Sequence, residues 1–472
     1  MDQNVTHHSE LIESHSIDYI PLSERRGKAW HLWPVWFSGD AHLATLATGI
    51  LGLSMGANLA WTLVAIITGC AFGTLFMAFH STQGPQLGLP QMIQSRPQFG
   101  YMGALLVWVI ALVCYIGFNS FNQLLAAQTI HQLTGIGSGV SIGGFTILAI
   151  LVAVIGYHWI HKAQRIISYI MIFVLAIFTI FVVFFHTFPK GSFSLAHFQT
   201  VPFLTEFFAA AAYQLSWAIY VSDYSRYLPP TIGVRSSFWW TYTGALIGGA
   251  WMMAVGALAA ALFPKADVAQ AVVQAGDYLF PGFGTIVLIA SCLGLITVTG
   301  LNFYGGSLTL LSMIDSFHPL HAKANSRIIA IIALGIVATF IAFKASGNFM
   351  NSFGDFLTIL LYLFTPWTAI NLIDFYFVRH THYSVREIFN PHGIYGRWGW
   401  RGLVAYGVGF AAMIPFFNAG FYIGPISHAL GGADISMLIG LSVSTIVYYL
   451  ACRSLDLKAE RAAVAKADAG LG

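Results

Sequence analysis

Long apolar stretches recur throughout this chain, and every Lys and Arg falls between them or at their ends. No other feature limits the fold as strongly. About 20 mainly apolar residues match the hydrocarbon thickness of a bilayer. Within that layer only helices and closed barrels satisfy their own backbone. Twelve such stretches can be drawn, near 33–53, 59–79, 102–130, 139–157, 166–186, 204–228, 238–262, 283–315, 327–346, 352–378, 402–422 and 435–452. With the N-terminus placed in the cytoplasm, the loops on the far side carry only Lys190, Lys265 and Lys344. All other basic residues fall on the cytoplasmic side, as the positive-inside rule requires. The expected protein is an all-α, multi-pass protein of the inner (plasma) membrane, with twelve transmembrane helices and both termini cytoplasmic.

Composition supports that reading by exclusion. Charged residues make up 8% of the 472, against about 25% in a soluble domain. That is too little charge to cover a water-soluble surface, so soluble enzymes and disordered scaffolds are excluded. A net charge of +3 implies no polyanionic partner, and no nucleic acid is expected. Cys70, Cys114, Cys292 and Cys452 lie in or beside apolar stretches without ligand spacing. They read as small core residues, with neither disulfides nor a metal. Residues 1–29 are polar and the first apolar stretch begins near Leu32, the pattern of a solvated tail rather than a signal peptide. The expected division is a tail over 1–32, helices one to five over 33–186, six to ten over 204–378, eleven and twelve over 402–452, and a fraying tail over 453–472. Loop 80–101 is expected to be a polar connection.

Polar groups inside a span are costly, and each is a candidate for function. The first span reads Ser38-Gly39-Asp40-Ala41-His42. One reading is a helix break whose carbonyls and Asp40 carboxylate face a cation or a protonated ligand. The other places Asp40 at the interface or pairs it with His42. On span three, Tyr115, Asn119 and Asn122 share one helix face. Two amides and a phenol suit a polar heterocycle, and they equally suit bonds between helices. Span six carries Gln214, Ser216 and Trp217 near its middle and Asp223 and Arg226 at one end, the latter expected as an ion pair. Glu206, near its other end, is expected at the interface. Span eight carries Thr297, Thr299, Asn302 and Tyr304 beside Gly305-Gly306. Hydroxyl oxygens there suit a hard cation, and glycine and threonine also permit close helix packing. On span ten, Pro366 is expected to kink the helix, and Asp374 and Arg379 read as structural charges. No HExxH, GxSxG or P-loop pattern is present, and no enzyme is expected.

The stretch Gln83-Gly84-Pro85-Gln86-Leu87-Gly88-Leu89-Pro90-Gln91, continuing to Arg96-Pro97-Gln98-Phe99-Gly100, resembles the loop after helix two in the nucleobase–cation symport family 1. Asn302-Phe303-Tyr304-Gly305-Gly306, Asp223-Tyr224-Ser225-Arg226-Tyr227 and Pro366-Trp367-Thr368 through Asp374-Phe375-Tyr376 resemble its purine–cytosine permease branch. The resemblance spans roughly 20–455 and implies a LeuT-like fold: two inverted five-helix repeats plus two further helices. No repeat is legible in the residues themselves. It also implies import of a nucleobase or related heterocycle with H⁺ or Na⁺ and no other cofactor. Helices one and six would be broken at mid-membrane, with the ligand between helices one, three, six and eight. Carried over by position, Tyr115, Asn119, Asn122, Gln214, Trp217, Asn302 and Tyr304 would surround the substrate, together with Asp40. Ser38, Asp40, Ala41 and Thr299 would face the cation. Two departures stand out. Relatives often carry an amide where this chain has Asp40, which points to proton coupling or to a cationic substrate. Span six also has no glycine between 204 and 232 to assist its break. The rival readings are an importer of another cationic or amine-bearing nutrient such as a vitamin or amino acid, a membrane enzyme or sensor, and a channel. The sequence leaves the oligomeric state open.

Overall fold

The computed structural model describes residues 18–155, 157–317 and 324–469. Most of the expected N-terminal tail therefore lies outside the described residues. Six continuous helices are long and apolar enough to cross a bilayer: Leu59–Leu87, Leu105–Thr134, Pro230–Leu262, Phe283–Asp315, Asn325–Ala345 and Phe349–Val378. A seventh span follows if Ser436–Cys452 and Leu457–Ala467, bent by 83°, are taken together. Ser138–Val154 and Tyr169–Phe185 are shorter apolar helices, and three further expected spans are interrupted or end early. The first divides into Leu32–Gly39, Leu43–Thr48 and Leu51–Ser54. The sixth divides into Thr200–Ser216, a tight turn at Trp217–Ile219, and Val221–Ser225. The eleventh ends at Met413, nine residues before its expected end at 422.

That last shortening corrects the all-helical expectation. Pro415 closes the helix, and Asn418–Ala419 pairs antiparallel with Tyr422–Ile423 in a small hairpin turning at Gly420. Two more expectations need correction. Residues 83–100 are almost entirely buried, in short helical turns rather than an open polar loop. The tail helix Leu457–Ala467 does not fray, because Glu460 meets Arg379 at 2.6 Å and Asp468 accepts from the Ser384 hydroxyl at 2.7 Å. Pro366 lies within Phe349–Ile373, which continues into a wider π turn at Asp374–Val378.

Small residues decide how the helices approach. Gly244, Gly248 and Gly256 present one face to helix one. A Cβ on them would fall 2.6, 2.6 and 2.0 Å from the carbonyl oxygens of Trp33, Phe37 and Leu46. Gly69 and Gly73 do the same against Phe207 and Ala211 of helix six. Without a hydrophobic drive between helices in lipid, such close backbone packing holds a bundle together. Broken helix one thus lies along Gly233–Leu262, and broken helix six along Leu59–Ser81. Ile329, Ile336 and Phe340 are more than 60% exposed along one side of Ala324–Ala345. Lipid tolerates a stripe of that kind, and water does not.

Candidate functional site

Helix one unwinds at Asp40–His42. His42 is extended (φ −155°, ψ 170°), and its amide reaches only the Asp40 carbonyl, at 2.9 Å. Asp40 is 1% exposed, enclosed by protein rather than open to solvent. Its Oδ2 accepts from Gln214 Nε2 at 3.2 Å, and Oδ1 has no hydrogen-bond partner. The Gln214 amide also donates to the Ala245 carbonyl at 3.3 Å. His42 turns from Asp40 toward Tyr213, with Nε2 and Oη 3.4 Å apart, and Tyr213 shares a 2.7 Å bond with the Thr45 hydroxyl.

Helix six breaks at Trp217–Tyr220, just past Gln214. The missing glycine is no obstacle: Tyr220 takes φ −139°, which any residue adopts. Trp217 packs edge-on against Trp36, Tyr213 and Tyr220, and its ring reaches the Cβ position of Gly39 at 3.8 Å. Asp40, Gln214 and Trp217 are therefore brought together where the two breaks meet.

A second group gathers around a cavity of about 90 Å³ between helices three, six and eight. Tyr115, Asn302 and Tyr304 line it, joined by Tyr220, Asp223, Tyr224 and Arg226. Tyr115 and Tyr220 stack with centroids 5.7 Å apart and planes 15° from parallel. Tyr220 was not singled out in the sequence. Its position three residues past Trp217, on the turn of the break, was the available signal. Asp223 accepts from the Gln91 amide at 2.9 Å, so this end of helix six is tied to the 83–100 segment.

The remaining expected residues are close by but differently engaged. Asn122 donates to the Thr299 hydroxyl at 3.2 Å, joining helices three and eight. Asn119 Oδ1, Asn122 Oδ1 and both polar atoms of Gln123 are buried without a protein partner. Ser38 Oγ donates to its own helix at Val35, and the Ser38 carbonyl accepts from the Ala41 amide at 3.1 Å. The point of helix eight facing the helix-one break is Gly294, whose Cβ would lie 3.9 Å from that of His42. Glu206 is fully buried rather than interfacial, its Oε2 accepting from the Gly52 amide at 2.7 Å. Among the described residues no group of His, Cys, Asp and Glu could hold a metal. A larger groove of about 380 Å³ lies along Phe377, Ile446, Tyr449 and Leu450. It has no converging polar groups.

Comparison with known proteins decides the family. Residues 19–440 match the profile of permeases for cytosine/purines, uracil, thiamine and allantoin. The chain belongs to that permease family. The Bacillus subtilis protein named "Putative purine-cytosine permease YxlA" is 40% identical over 93% of this chain and 95% of its own. The purine-cytosine permease fcyB of Emericella nidulans is 25% identical, over 95% and 89%. The inward-facing conformation of Mhp1 superposes with a TM-score of 0.75 at 16% identity, covering 96% of this chain and 98% of that one. Mhp1, a nucleobase-cation-symport-1 family transporter, in a closed conformation with bromovinylhydantoin bound, gives 0.74 at 16% identity, over 97% and 99%. The permease thus has the LeuT-like fold of Mhp1 and is a multi-pass membrane protein. It is a transporter and not an enzyme: its site binds and releases rather than making or breaking bonds.

Proposed function

We propose that this chain imports a nucleobase of the cytosine or purine class together with a proton, by alternating access. The carrying observation is the meeting of two helix breaks at the Asp40–Gln214 hydrogen bond. On this reading the broken and short segments complete twelve spans, arranged as two inverted five-helix repeats plus two. Tyr115 and Tyr220 offer an aromatic wall on which a base stacks. Asn302 faces the same cavity, and an amide there reads the paired donors and acceptors of a base edge. The unpartnered Oδ1 atoms of Asn119 and Asn122, on the same helix as Tyr115, are groups that a polar ligand or its waters would satisfy. Gln214 and Trp217 close the site from the helix-six break.

Asp40 supports proton coupling. No cationic side chain pairs with it among the described residues, and a buried carboxylate without a partner charge is costly. Binding a proton removes that cost. Of the neutral oxygens that Na⁺ would use instead, the Ser38 and Ala41 carbonyls lie at the break, while the Thr299 hydroxyl is bonded to Asn122. Coupling requires only that proton and base both favour the closed state. A second reading, import of an amine-bearing nutrient, draws on the same unpartnered Asp40 Oδ1.

The test is a melting-temperature panel on purified protein. It covers cytosine, uracil, adenine, hypoxanthine, guanine, allantoin and cationic vitamins, each with and without Na⁺ and at two pH values. A ligand at a hundred times its Kd stabilises the fold by about 2.7 kcal/mol. A shift with a nucleobase that grows at low pH and ignores Na⁺ is expected. A shift confined to amine-bearing compounds would overturn the substrate class, and one requiring Na⁺ would overturn the coupling ion.

A further inference from the structure

Glu206 has no part in the site above, yet it is a buried carboxyl at the second weak point of helix one. Leu51–Ser54 is a four-residue helical turn set off by Gly49 and Ile50 on one side and Met55–Asn58 on the other. Its Gly52 amide donates to Glu206 Oε2 at 2.7 Å, while Glu206 Oε1 has no partner. The approach is close enough to require glycine: a Cβ on Gly52 would fall 2.9 Å from Glu206 Cβ and 3.2 Å from the Pro202 carbonyl oxygen.

The surroundings offer no compensating charge. Among the described residues no Lys, Arg or His pairs with Glu206. On Leu59–Ser81, the Cys70 thiol is in electrostatic reach, and His80 is engaged with Thr368. On Gly233–Leu262, Tyr242 donates to the Ala71 carbonyl, and Arg235 lies in the first turn, remote along the chain from the Gly256 end that meets helix one. On Phe349–Ile373, Asp355 accepts from the Gly420 amide and Tyr362 donates to Asp434. Tyr213, on the same helix as Glu206, is held by Thr45, and His42 and Asp40 lie at the other break of helix one.

We propose that Glu206 is a proton-operated latch, separate from the substrate site, that holds Leu51–Ser54 shut against helix six. With the turn closed, the carboxyl is sealed from water and holds a proton on Oε1 while Oε2 accepts from Gly52. When the turn lifts, water reaches the carboxyl and the proton leaves to that water. Closing takes one proton from the same side. Under the positive-inside orientation that side is the exterior, so acid outside favours closure. The inference rests on the transport reading only in supposing that this turn moves during the cycle.

Hydrogen–deuterium exchange on the purified full chain tests it without substrate. Protection of the amides over 51–57 is measured from acid to alkaline pH and corrected for intrinsic base-catalysed exchange. In the wild type, opening linked to one proton increases by at most about tenfold per pH unit, and that dependence is expected. Glu206→Gln keeps an acceptor for Gly52 but cannot titrate, so its protection stays flat with pH. Glu206→Leu loses both properties and is expected to be flat and less protected, which keeps the test open if the glutamine variant misfolds. Asp40→Asn retains the wild-type dependence. A pH-independent wild type, or a Glu206→Gln protein that keeps the wild-type slope, overturns the latch. Failure of the transport reading would appear separately, as absent uptake alongside an intact pH-dependent exchange.

Discussion

Gly249 is not among the expected site residues, yet it should control the site. A Cβ at this position would lie 1.7 Å from Gln214 Nε2 and 3.3 Å from Asp40 Oδ2. Ordinary contact begins near 3.4 Å, so in Gly249→Ala the amide must withdraw by about 1.7 Å. That breaks its 3.2 Å bond to Asp40 and its 3.3 Å bond to the Ala245 carbonyl. With Asp40 protonated in the base-bound state, each of these neutral hydrogen bonds contributes about 0.5–1.5 kcal/mol, or roughly 2- to 13-fold in apparent affinity. Cytosine or hypoxanthine uptake into proteoliposomes would measure it, with a melting curve confirming that each variant is folded. Gln214→Ala should show a loss of the same size, since it deletes the same two bonds. The decisive variant carries both changes. With the amide gone the new methyl has nothing to displace, so the double variant should match Gln214→Ala alone. If the two losses add instead, the groups are not coupled, and Gly249 matters for some reason other than positioning Gln214.

Three further outcomes follow from the geometry. Asn302→Ala and Asn119→Ala should each abolish most uptake while inserting and melting like the wild type; normal transport by both would overturn the assignment of the base-reading face. Asp40→Asn should remove the dependence of uptake on an imposed proton gradient while leaving counterflow of the base measurable, because the site still binds but no longer takes up a proton; a retained gradient dependence would move the coupling group elsewhere. Arg379→Ala should lower stability by about 3–5 kcal/mol, the usual cost of leaving a buried charge unpaired, since Arg379 bonds Asp374 at 2.6 Å and Glu460 at 2.6 Å. A thermal melt unchanged by that substitution would show the contact to be incidental.

Six long apolar spans were legible in the sequence because their physics is local. A run of apolar residues bounded by bases declares a span wherever the rest of the chain goes. The break at Asp40 was legible for the same reason, as Ser38-Gly39-Asp40 has little reason to lie in lipid unless it lines something. The helix-six break was harder to place, because Trp217–Tyr220 turns without a glycine and with ordinary φ values. The 83–100 segment was misjudged because its glutamines look solvated in isolation. In the fold Gln91 bonds His80 and Gln83, Gln83 bonds Asn371, and Gln98 bonds Asp374. Apart from Gln83, each partner lies outside the segment, so most of the network exists only after folding. Glu206 was placed at the interface on the same grounds: its partner, the Gly52 amide, is 154 residues away in sequence.

These contacts leave helix one freer to move, in the proposed cycle, than the elements around it. Its neighbours on Gly233–Leu262 present Gly244, Gly248 and Gly256 to its backbone. A glycine face makes close contact without interlocking side chains, so one helix can slide or tilt on the other at little steric cost. By contrast, the end of helix ten is fixed by convergent bonds: Asp374 accepts from Arg379, Tyr448, Tyr383 and Gln98. Arg379 in turn binds the tail helix through Glu460. His80 adds a second anchor, stacked on Trp367 at 4.5 Å and bonded to Thr368. One side of the binding region is therefore braced by charge and hydrogen bonds, and the other is packed on glycine and interrupted at 40–42 and 49–50. A cation or proton bound at such an interruption needs to shift only a few residues to change which side of the site is open. On the reading proposed above, the coupling groups lie on helix one and its contacts with helix six, and the Asp374 hub would hold the frame against which they move.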